Sequence, residues 1–250
     1  MVIIQGEDSD GIVVRENSRD SVSEAFRIIR TNMDFMRVKA ANLQVVMFTS
    51  ANPGAGKTFV SSNLAMSIAQ TNKKVVLVDV DIRKGTLSGI FSNSSNRMGL
   101  THYLSGSTYK LDDIIGRSEE YEKLDVIFSG PVPPNPAELL LSERFDRLIT
   151  ELRKRYDYII VDNVPAGMVA DASIVNRVAD LTIFVVRSGV MDRRQLPELE
   201  NMYRQEQLRN MSVILNGVPS DHKGYGYGYG YGYGYGYGYG YGYGNESHRH

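Results

Sequence analysis

Apolar and polar positions along the chain predict strands that alternate with helices. Short, nearly unbroken apolar runs are typical of strands covered on both faces. These runs occupy residues 44–49, 74–79, 124–128, 158–162, 181–187 and 211–216. Helical spacing or a helix-start signal marks residues 24–35, 59–69, 136–156, 171–179 and 192–208. The alternation favours an α/β fold, a doubly wound and mainly parallel sheet with helices on both faces.

The first part of the chain reads as an extended lead-in over residues 1–17. Its apolar triplet at 12–14 is a candidate edge strand. Ser21 followed by Glu24 is a capping-box pattern, and Phe26, Ile29 and Met33 then recur at helical spacing. A helix is therefore expected before the first core strand.

The last part of the chain, residues 221–250, is dominated by a strict alternation of tyrosine and glycine. Glycine at every second position maximises the entropy lost on ordering, so we expect this tail to be disordered. The expected organisation is thus a lead-in at 1–17, one domain at 18–220 and a tail at 221–250. The alternating tyrosines are Tyr225, Tyr227, Tyr229, Tyr231, Tyr233, Tyr235, Tyr237, Tyr239, Tyr241 and Tyr243.

Composition narrows the function classes. The net charge of −1 gives no long-range attraction to nucleic acid or anionic lipid, so we expect no nucleic-acid partner. The chain has no cysteine, which excludes disulfides and thiol chemistry, and His102 has no partner at ligand spacing, so we assign no zinc site. No apolar run is long enough to cross a bilayer, so a membrane association would need a partner or further sequence.

A phosphate-binding loop at residues 51–58, Ala-Asn-Pro-Gly-Ala-Gly-Lys-Thr, joins the first core strand to a helix. Glycines let backbone N–H groups face phosphate oxygens, Lys57 can reach the β- and γ-phosphates, and the Thr58 hydroxyl can ligate Mg²⁺. The alternative is a glycine-rich turn with a solvated lysine. We expect ATP and Mg²⁺ as cofactors. The predicted nucleotide-binding residues are Gly54, Ala55, Gly56, Lys57, Thr58, Phe59 and Asn216.

Carboxylates follow two further strands and complete a candidate catalytic group. Asp79 and Asp81 leave the strand at 74–79, and Asp162 ends the strand at 158–162. Strand ends of a doubly wound sheet share one crevice, where phosphoryl transfer needs a phosphate cradle, a metal and a group that orients or deprotonates the nucleophile. We predict Lys57, Asp79, Asp81 and Asp162 as catalytic, with Thr58, Asp81 and Asp162 on the metal. Each aspartate taken alone could instead be a helix N-cap, and Arg187 is either a phosphate contact or a solvated charge.

Four segments together resemble the bacterial tyrosine kinase family, whose catalytic domains regulate capsular and exopolysaccharide synthesis and export. They are residues 53–58, 77–83, 129–140 and 160–162. The resemblance covers about Ser18 to Val218 and implies the P-loop NTPase fold. It also implies an ATP-dependent protein-tyrosine kinase that autophosphorylates a C-terminal tyrosine cluster, the place held here by the Tyr-Gly tail. The sequence after Asp162 and the alanine at position 55 depart from the family pattern without removing a charged catalytic group.

The resemblance further implies partners and location. Glu24, Arg27 and Arg30 match the family's Glu-x-x-Arg-x-x-Arg oligomerisation motif, which implies a homo-oligomer, a ring included. A membrane polysaccharide co-polymerase or activator segment, fused or separate, would hold the kinase at the cytoplasmic face of the cell (inner) membrane. Without the resemblance, Glu24 would simply close a capping box and the arginines would be solvated.

Two functions of other classes stay open on the sequence alone. A dimeric ATPase switch of the partitioning or cell-division type would share the loop and the carboxylates. Those ATPases carry a lysine where this loop has Asn52, which argues against them. A scaffold could instead use its aromatic tail for self-association, with an ATP site that only regulates it. Phosphate gained on residues 225–243 with Mg-ATP would favour the kinase over both.

Overall fold

The computed structural model describes residues 2–5, 11–39, 43–91, 98–106, 108–117, 122–166 and 171–219. The tail tyrosines and the expected disorder of the tail lie outside these residues. The strands are β1 (Val2–Gln5), β2 (Val45–Ser50), β3 (Val75–Asp79), β4 (Gly116–Arg117), β5 (Leu124–Ile127), β6 (Tyr158–Asp162), β7 (Leu181–Arg187) and β8 (Ser212–Val218). The helices are α1 (Ser21–Lys39), α2 (Lys57–Ala69), α3 (Leu100–Ser105), α4 (Pro136–Leu141), α5 (Glu143–Arg155), α6 (Asp171–Asn176) and α7 (Leu196–Arg204). Single turns of 3₁₀-helix occur at Leu87–Gly89, Leu111–Asp113 and Arg193–Gln195.

The eight strands of the described chain form one sheet in the order β1-β8-β7-β2-β6-β3-β5-β4. Every neighbouring pair is parallel except β4 with β5. Residues of β2 alternate between two cores: Phe48 lies with α1 and α2 on one face, and Met47 lies with α5 on the other. The predicted doubly wound, mainly parallel α/β fold is therefore confirmed, and the parallel strands direct their C-terminal ends to one edge.

The edge strand predicted at residues 12–14 is wrong. The edge strand is β1, whose backbone pairs in parallel with β8. The N–H groups of Val13 and Val14 instead donate to Asn63 Oδ1 on α2, at 2.7 and 3.1 Å. A buried amide side chain thus satisfies the backbone that a strand partner would have satisfied.

The capping box predicted at Ser21 and Glu24 is wrong by one residue. Helix α1 begins at Ser21, and Asp20 is its N-cap, with Oδ1 accepting from Ser23 N at 2.8 Å. Hydrogen bonds from Ser18 and Ser23 hold the pKa of Asp20 well below its ordinary value. The Glu24 carboxylate is consequently left to pair with Arg27.

Three predicted helices were too long, and the one predicted at 171–179 ends at Asn176. The helix predicted at 136–156 is split at Ser142, whose backbone is extended at φ −68° and ψ 150°. Both N and Oγ of Ser142 donate to Leu139 O, at 3.2 and 2.6 Å, so the serine ends α4 by competing for its last carbonyls. The helix predicted at 192–208 begins with a 3₁₀ turn and ends at Arg204. Helix α3 and strand β4 were not predicted.

Candidate active site

The phosphate loop connects β2 to α2, and its backbone turns through two left-handed glycines. Gly54 has φ 76°, and Gly56, which precedes the first residue of α2, has φ 86°. Asn216 Nδ2 donates to Ala55 O at 3.1 Å, and a Cβ on residue 56 would lie 2.2 Å from that nitrogen. Glycine is required at position 56 by both conformation and space. Asn216, predicted to bind nucleotide, contacts the loop itself.

Side chains from the end of β7 and from the 3₁₀ turn before α7 contact the outer side of the loop. Arg187 Nη1 at the end of β7 donates to Gly54 O at 3.0 Å. The amides of Asn52 and Gln195 exchange two hydrogen bonds of 3.0 and 3.4 Å. These contacts use carbonyls and side chains of the loop, which leaves loop N–H groups for phosphate oxygens. Arg187 is thus a contact of the loop, and Gln195 carries no sequence signal that could have identified it.

The Thr58 hydroxyl and Asp162 form a pair at the base of the crevice. Thr58 Oγ1 donates to Asp162 Oδ2 at 2.6 Å, and Asp162 is 1% exposed. The other oxygen, Asp162 Oδ1, is buried and has no hydrogen-bond partner in the described part of the chain. Burial raises the pKa of Asp162 to about 6, against the lowering effects of Thr58 and Lys57.

This donor set fits Mg²⁺. The ion prefers oxygen ligands and is usually bound through one or two carboxylates together with substrate phosphates. Within the described ranges, no group of three or more His, Cys, Asp or Glu side chains could hold a metal by itself. Thr58 and Asp162 would therefore share the ion with phosphate oxygens, and the unpartnered Oδ1 is a carboxylate oxygen that a cation would satisfy.

Asp79 lies level with Asp162, since the two are register partners on β3 and β6. Its two oxygens accept from the backbone N–H groups of Asp81 and Leu87, at 3.0 and 3.2 Å. Burial first, and the charge of Asp162 second, raise the pKa of Asp79 well above its ordinary value. Asp79 is fully buried whereas Asp81 is partly exposed, so Asp79 holds the turn that carries Asp81. Its predicted role as base stays a prediction.

Lys57 lies close to the carboxylates. Burial lowers the pKa of Lys57, and the charges of Asp162 and Asp81 act against that shift. Phe59, predicted as a nucleotide contact, packs its side chain into the core beneath α1, edge to face with Phe26 at 6.1 Å between ring centres. The Phe59 side chain is thus committed to the contact between α1 and α2.

The residues predicted to mediate oligomerisation lie on α1, and the two arginines among them contact their own chain. Arg27 pairs with Glu24 at 2.8 Å and also donates to Ser18 O. Arg30 Nη1 donates to Ser67 O at 2.7 Å, so this side chain ties α1 to α2. Glu24 is exposed, and Arg27 and Arg30 are partly buried. The arginines are therefore not simply solvated.

In the described part of the chain, no helix is both long enough and apolar enough to cross a membrane.

Comparisons with known proteins agree with the fold. The AAA domain family matches residues 43–199. The tyrosine-protein kinase YwqD of Bacillus subtilis is 40% identical over 204 residues, which cover 81% of this chain and 84% of YwqD. The chain therefore belongs to the AAA domain family and, within it, to the bacterial tyrosine-protein kinases.

Two further proteins are similar to this chain, one much longer than it and one related in fold alone. The tyrosine-protein kinase Etk of Escherichia coli K12 is 38% identical over 205 residues, covering 81% of this chain but 27% of Etk, so the chain spans about a quarter of that relative. The solved kinase domain of E. coli Etk superposes with a TM-score of 0.77 at 32% identity, covering 91% of this chain and 94% of that one. The cell division protein MinD of Aquifex aeolicus, at 24% identity and a TM-score of 0.56 over 70% of this chain and 69% of MinD, shares the fold.

Proposed function

We propose that this chain is an ATP-dependent protein-tyrosine kinase that phosphorylates its own C-terminal tyrosine cluster and thereby regulates capsular or exopolysaccharide synthesis and export. One observation carries the proposal. The chain combines a crevice built for nucleotide and Mg²⁺, around Thr58 and Asp162, with ten tyrosines at alternate positions of residues 225–243. Family membership supports the same reaction.

The proposed roles follow from position and charge. The phosphate loop, Lys57 and the N-terminus of α2 bind the phosphates of ATP. Thr58 and Asp162 would hold Mg²⁺, which when bound neutralises charge that develops on the phosphates. Asp81, which the sequence also predicts on the metal, is assigned the role of proton acceptor. The tyrosine oxygen forms its bond to the γ-phosphorus as the bond to the bridging oxygen breaks. The phenolic proton passes to the carboxylate of Asp81, which is partly exposed and therefore accessible to a tyrosine. Asp79 holds the turn that carries Asp81.

Asn52 supports the kinase over a partitioning or cell-division ATPase. Those ATPases carry a lysine at this position of the loop, whereas Asn52 here is paired with Gln195 of its own chain.

The experiment that tests the proposal uses the full chain with Mg-ATP. Phosphate is measured on the tail by mass spectrometry, with Lys57→Met as the inactive control. Lys57→Met removes a positive charge that compensates the transferring phosphate, so it should abolish transfer. Lys57 is not a residue of the hydrophobic core, so the variant should keep the fold. ATP hydrolysis without protein phosphate would favour the ATPase, and neither reaction would favour the scaffold.

We further propose that phosphate is transferred between subunits. A chain of roughly 25 residues that behaves as the sequence predicts for this tail would span about 25–30 Å, against a radius of gyration near 17 Å for a domain of about 200 residues. A neighbour's crevice is then within reach. Each phosphate adds about −1.5 to −2 charges, so multiple phosphates would repel other tails and the acidic crevice and loosen the assembly.

Mixing two variants tests this transfer. One subunit carries the tail and Lys57→Met, and its partner is active but truncated after Ser220. Phosphate on the inactive partner's tail is expected, and its absence at wild-type ATP binding would contradict transfer between subunits. An oligomer that keeps its mass after full tail phosphorylation would contradict the loosening.

We propose that Glu24 and Arg27 contribute to a homo-oligomer, a ring included. Glu24 is exposed beside Arg27, whereas Arg30 contacts Ser67 of its own chain. Light scattering should show that Glu24→Ala with Arg27→Ala lowers the mass at an unchanged Tm. Arg30→Ala should lower the Tm because it breaks the contact between α1 and α2. An unchanged mass in the double variant would remove these two residues from the interface.

The proposed setting is the cytoplasmic face of the cell membrane, through a polysaccharide co-polymerase or activator segment, fused or separate. The greater length of Etk is the observation behind this proposal. Fractionation of cells with and without such a segment tests it. Membrane recovery that does not depend on the segment would contradict it.

A further inference from the structure

Thr86 lies beside the predicted Mg²⁺ ligands, although no motif of the sequence includes it. Its Oγ1 is 3.0 Å from Thr58 Oγ1, which in turn is 2.6 Å from Asp162 Oδ2. Thr86 is exposed and Asp162 is buried. The three oxygens therefore form a short chain of hydrogen bonds that runs from the surface to the edge of the sheet.

The protons in this chain can be assigned by counting. A threonine hydroxyl has one proton and two lone pairs. The ionised Asp162 carboxylate can only accept, so the Thr58 hydroxyl donates its one hydrogen bond to Asp162. Thr86 is therefore the donor, and Thr58 the acceptor, in the hydrogen bond between the two threonines. Thr58 is left with one lone pair, and the hydrogen bond from Thr86 fixes where that lone pair points.

The backbone on both sides of Thr86 is fixed by hydrogen bonds. Before it, Gly85 has φ 65° and donates its N–H to Asp81 O at 2.9 Å. After it, Leu87 is buried and donates its N–H to Asp79 Oδ2 at 3.2 Å. The turn from Asp81 to Leu87 is thus closed at both ends, and the exposed side chain between them has a defined position.

We propose that Thr86 is a positioning residue of the metal site. Its hydroxyl orients the Thr58 hydroxyl so that the remaining lone pair of Thr58 is available to Mg²⁺. This role rests on the proposed kinase function and deepens it. It also gives the buried Asp79 a purpose, because Asp79 holds the backbone that carries Thr86 to Thr58.

The test compares Thr86→Val, which keeps the shape but lacks the hydroxyl, with Thr86→Ser, which keeps the hydroxyl. Calorimetry measures ADP affinity of the full chain with Mg²⁺ and with EDTA. Both variants should bind ADP in EDTA like the wild type. The gain in affinity caused by Mg²⁺ should fall by about two- to tenfold in Thr86→Val, the worth of one net hydrogen bond, and stay near wild type in Thr86→Ser. Thr86→Val should also need more Mg²⁺ for half-maximal tail phosphorylation.

Three results would overturn the proposal while leaving the kinase intact. In the first, Thr86→Val keeps the full Mg²⁺ gain. In the second, Thr86→Ser loses as much as Thr86→Val, so that the hydroxyl is not the cause. In the third, Thr86→Val loses affinity equally in EDTA, which would place its effect on the loop. A wild-type chain that gains no affinity from Mg²⁺ would overturn both this role and the proposed function.

Discussion

The ends of β3 and β6 place two aspartates side by side, and the two carboxylates differ in their hydrogen bonds. Asp79 and Asp162 are register partners, and both are almost completely buried. Both oxygens of Asp79 accept backbone N–H groups. Asp162 accepts one hydrogen bond from the Thr58 hydroxyl, and its second oxygen has no hydrogen-bond partner within the described chain. Two equally buried carboxylates thus differ in their hydrogen bonds: both oxygens of Asp79 have partners, and one oxygen of Asp162 has none within the described chain.

The difference follows from what lies beside each carboxylate. The chain beyond β3 folds back at once, so that the N–H groups of Asp81 and Leu87 reach the Asp79 carboxylate. The Asp162 carboxylate instead lies beside the first turn of α2, the helix that follows β2, and Thr58 of that turn donates a hydroxyl hydrogen bond. A buried polar atom without a partner costs stability, and such atoms concentrate where function needs them.

The largest expected effect is that of Asp162→Asn. The substitution removes the anionic partner of the metal, so tail phosphorylation should fall by at least about 10²–10³-fold, the range for loss of one electrostatic catalytic group. Because it also removes a buried carboxylate with an unpartnered oxygen, the Tm without nucleotide should stay the same or rise. Radiolabelled phosphate transfer and calorimetric melting measure the two effects. A large loss of Tm would contradict the assignment of Asp162 to the cation.

Asp81→Asn should reduce transfer by roughly 10²-fold, the lower range for general base catalysis. Asp81 is partly exposed on the turn that Asp79 holds, so its loss should leave the Tm nearly unchanged. Single-turnover transfer at saturating Mg-ATP is the measurement. A variant that transfers at the wild-type rate would move the role of base to another group.

Asp79→Asn should lower stability, in contrast to Asp162→Asn. Asparagine offers one acceptor where two backbone N–H groups need one each, and the penalty for leaving a buried donor unsatisfied is about 1–3 kcal/mol. Transfer should fall as well, because the turn bearing Asp81 and Thr86 loosens. Urea unfolding of the two asparagine variants side by side is decisive. Equal free energies of unfolding for Asp79→Asn and Asp162→Asn would contradict the proposed difference between the two carboxylates.

The smallest expected effect is a loss of stability from a substitution in the same turn. Gly85→Ala places a side chain at φ 65° and a Cβ 2.5 Å from Ser129 Oγ, which should cost about 1–2 kcal/mol, mostly from the left-handed backbone. Gly89→Ala is the matched control in the same connection, since a Cβ there meets nothing within 4 Å. Equal Tm values for the two variants would show that the turn after β3 is not rigid.

Much of the fold was predictable because strands covered on both faces leave continuous apolar runs. The runs gave β2, β3, β5, β6, β7 and β8 to within about two residues, a usual error for strand ends. Edge strand β1 could not be predicted from its sequence, because pairing with β8 depends on a partner far along the chain. The break at Ser142 depends on one hydroxyl that competes with the helix backbone.

The sequence predicted that Lys57, Thr58 and Asp162 share one crevice, and the structure brings these three side chains together. Thr86 and Gln195 could not be found, because each reaches the loop only through the fold, 28 residues from Thr58 and 143 residues from Asn52. Neither residue belongs to a sequence motif that indicates contact with the phosphate loop. Distances across the crevice identify both.

The most direct test of the account is the mass of the intact chain after incubation with Mg-ATP, followed by mapping of the phosphates. The account predicts several added phosphates, all on tyrosines of residues 225–243, in the wild type. It predicts none in Lys57→Met or Asp162→Asn. A wild-type chain that binds and hydrolyses ATP yet gains no phosphate on these tyrosines would contradict it.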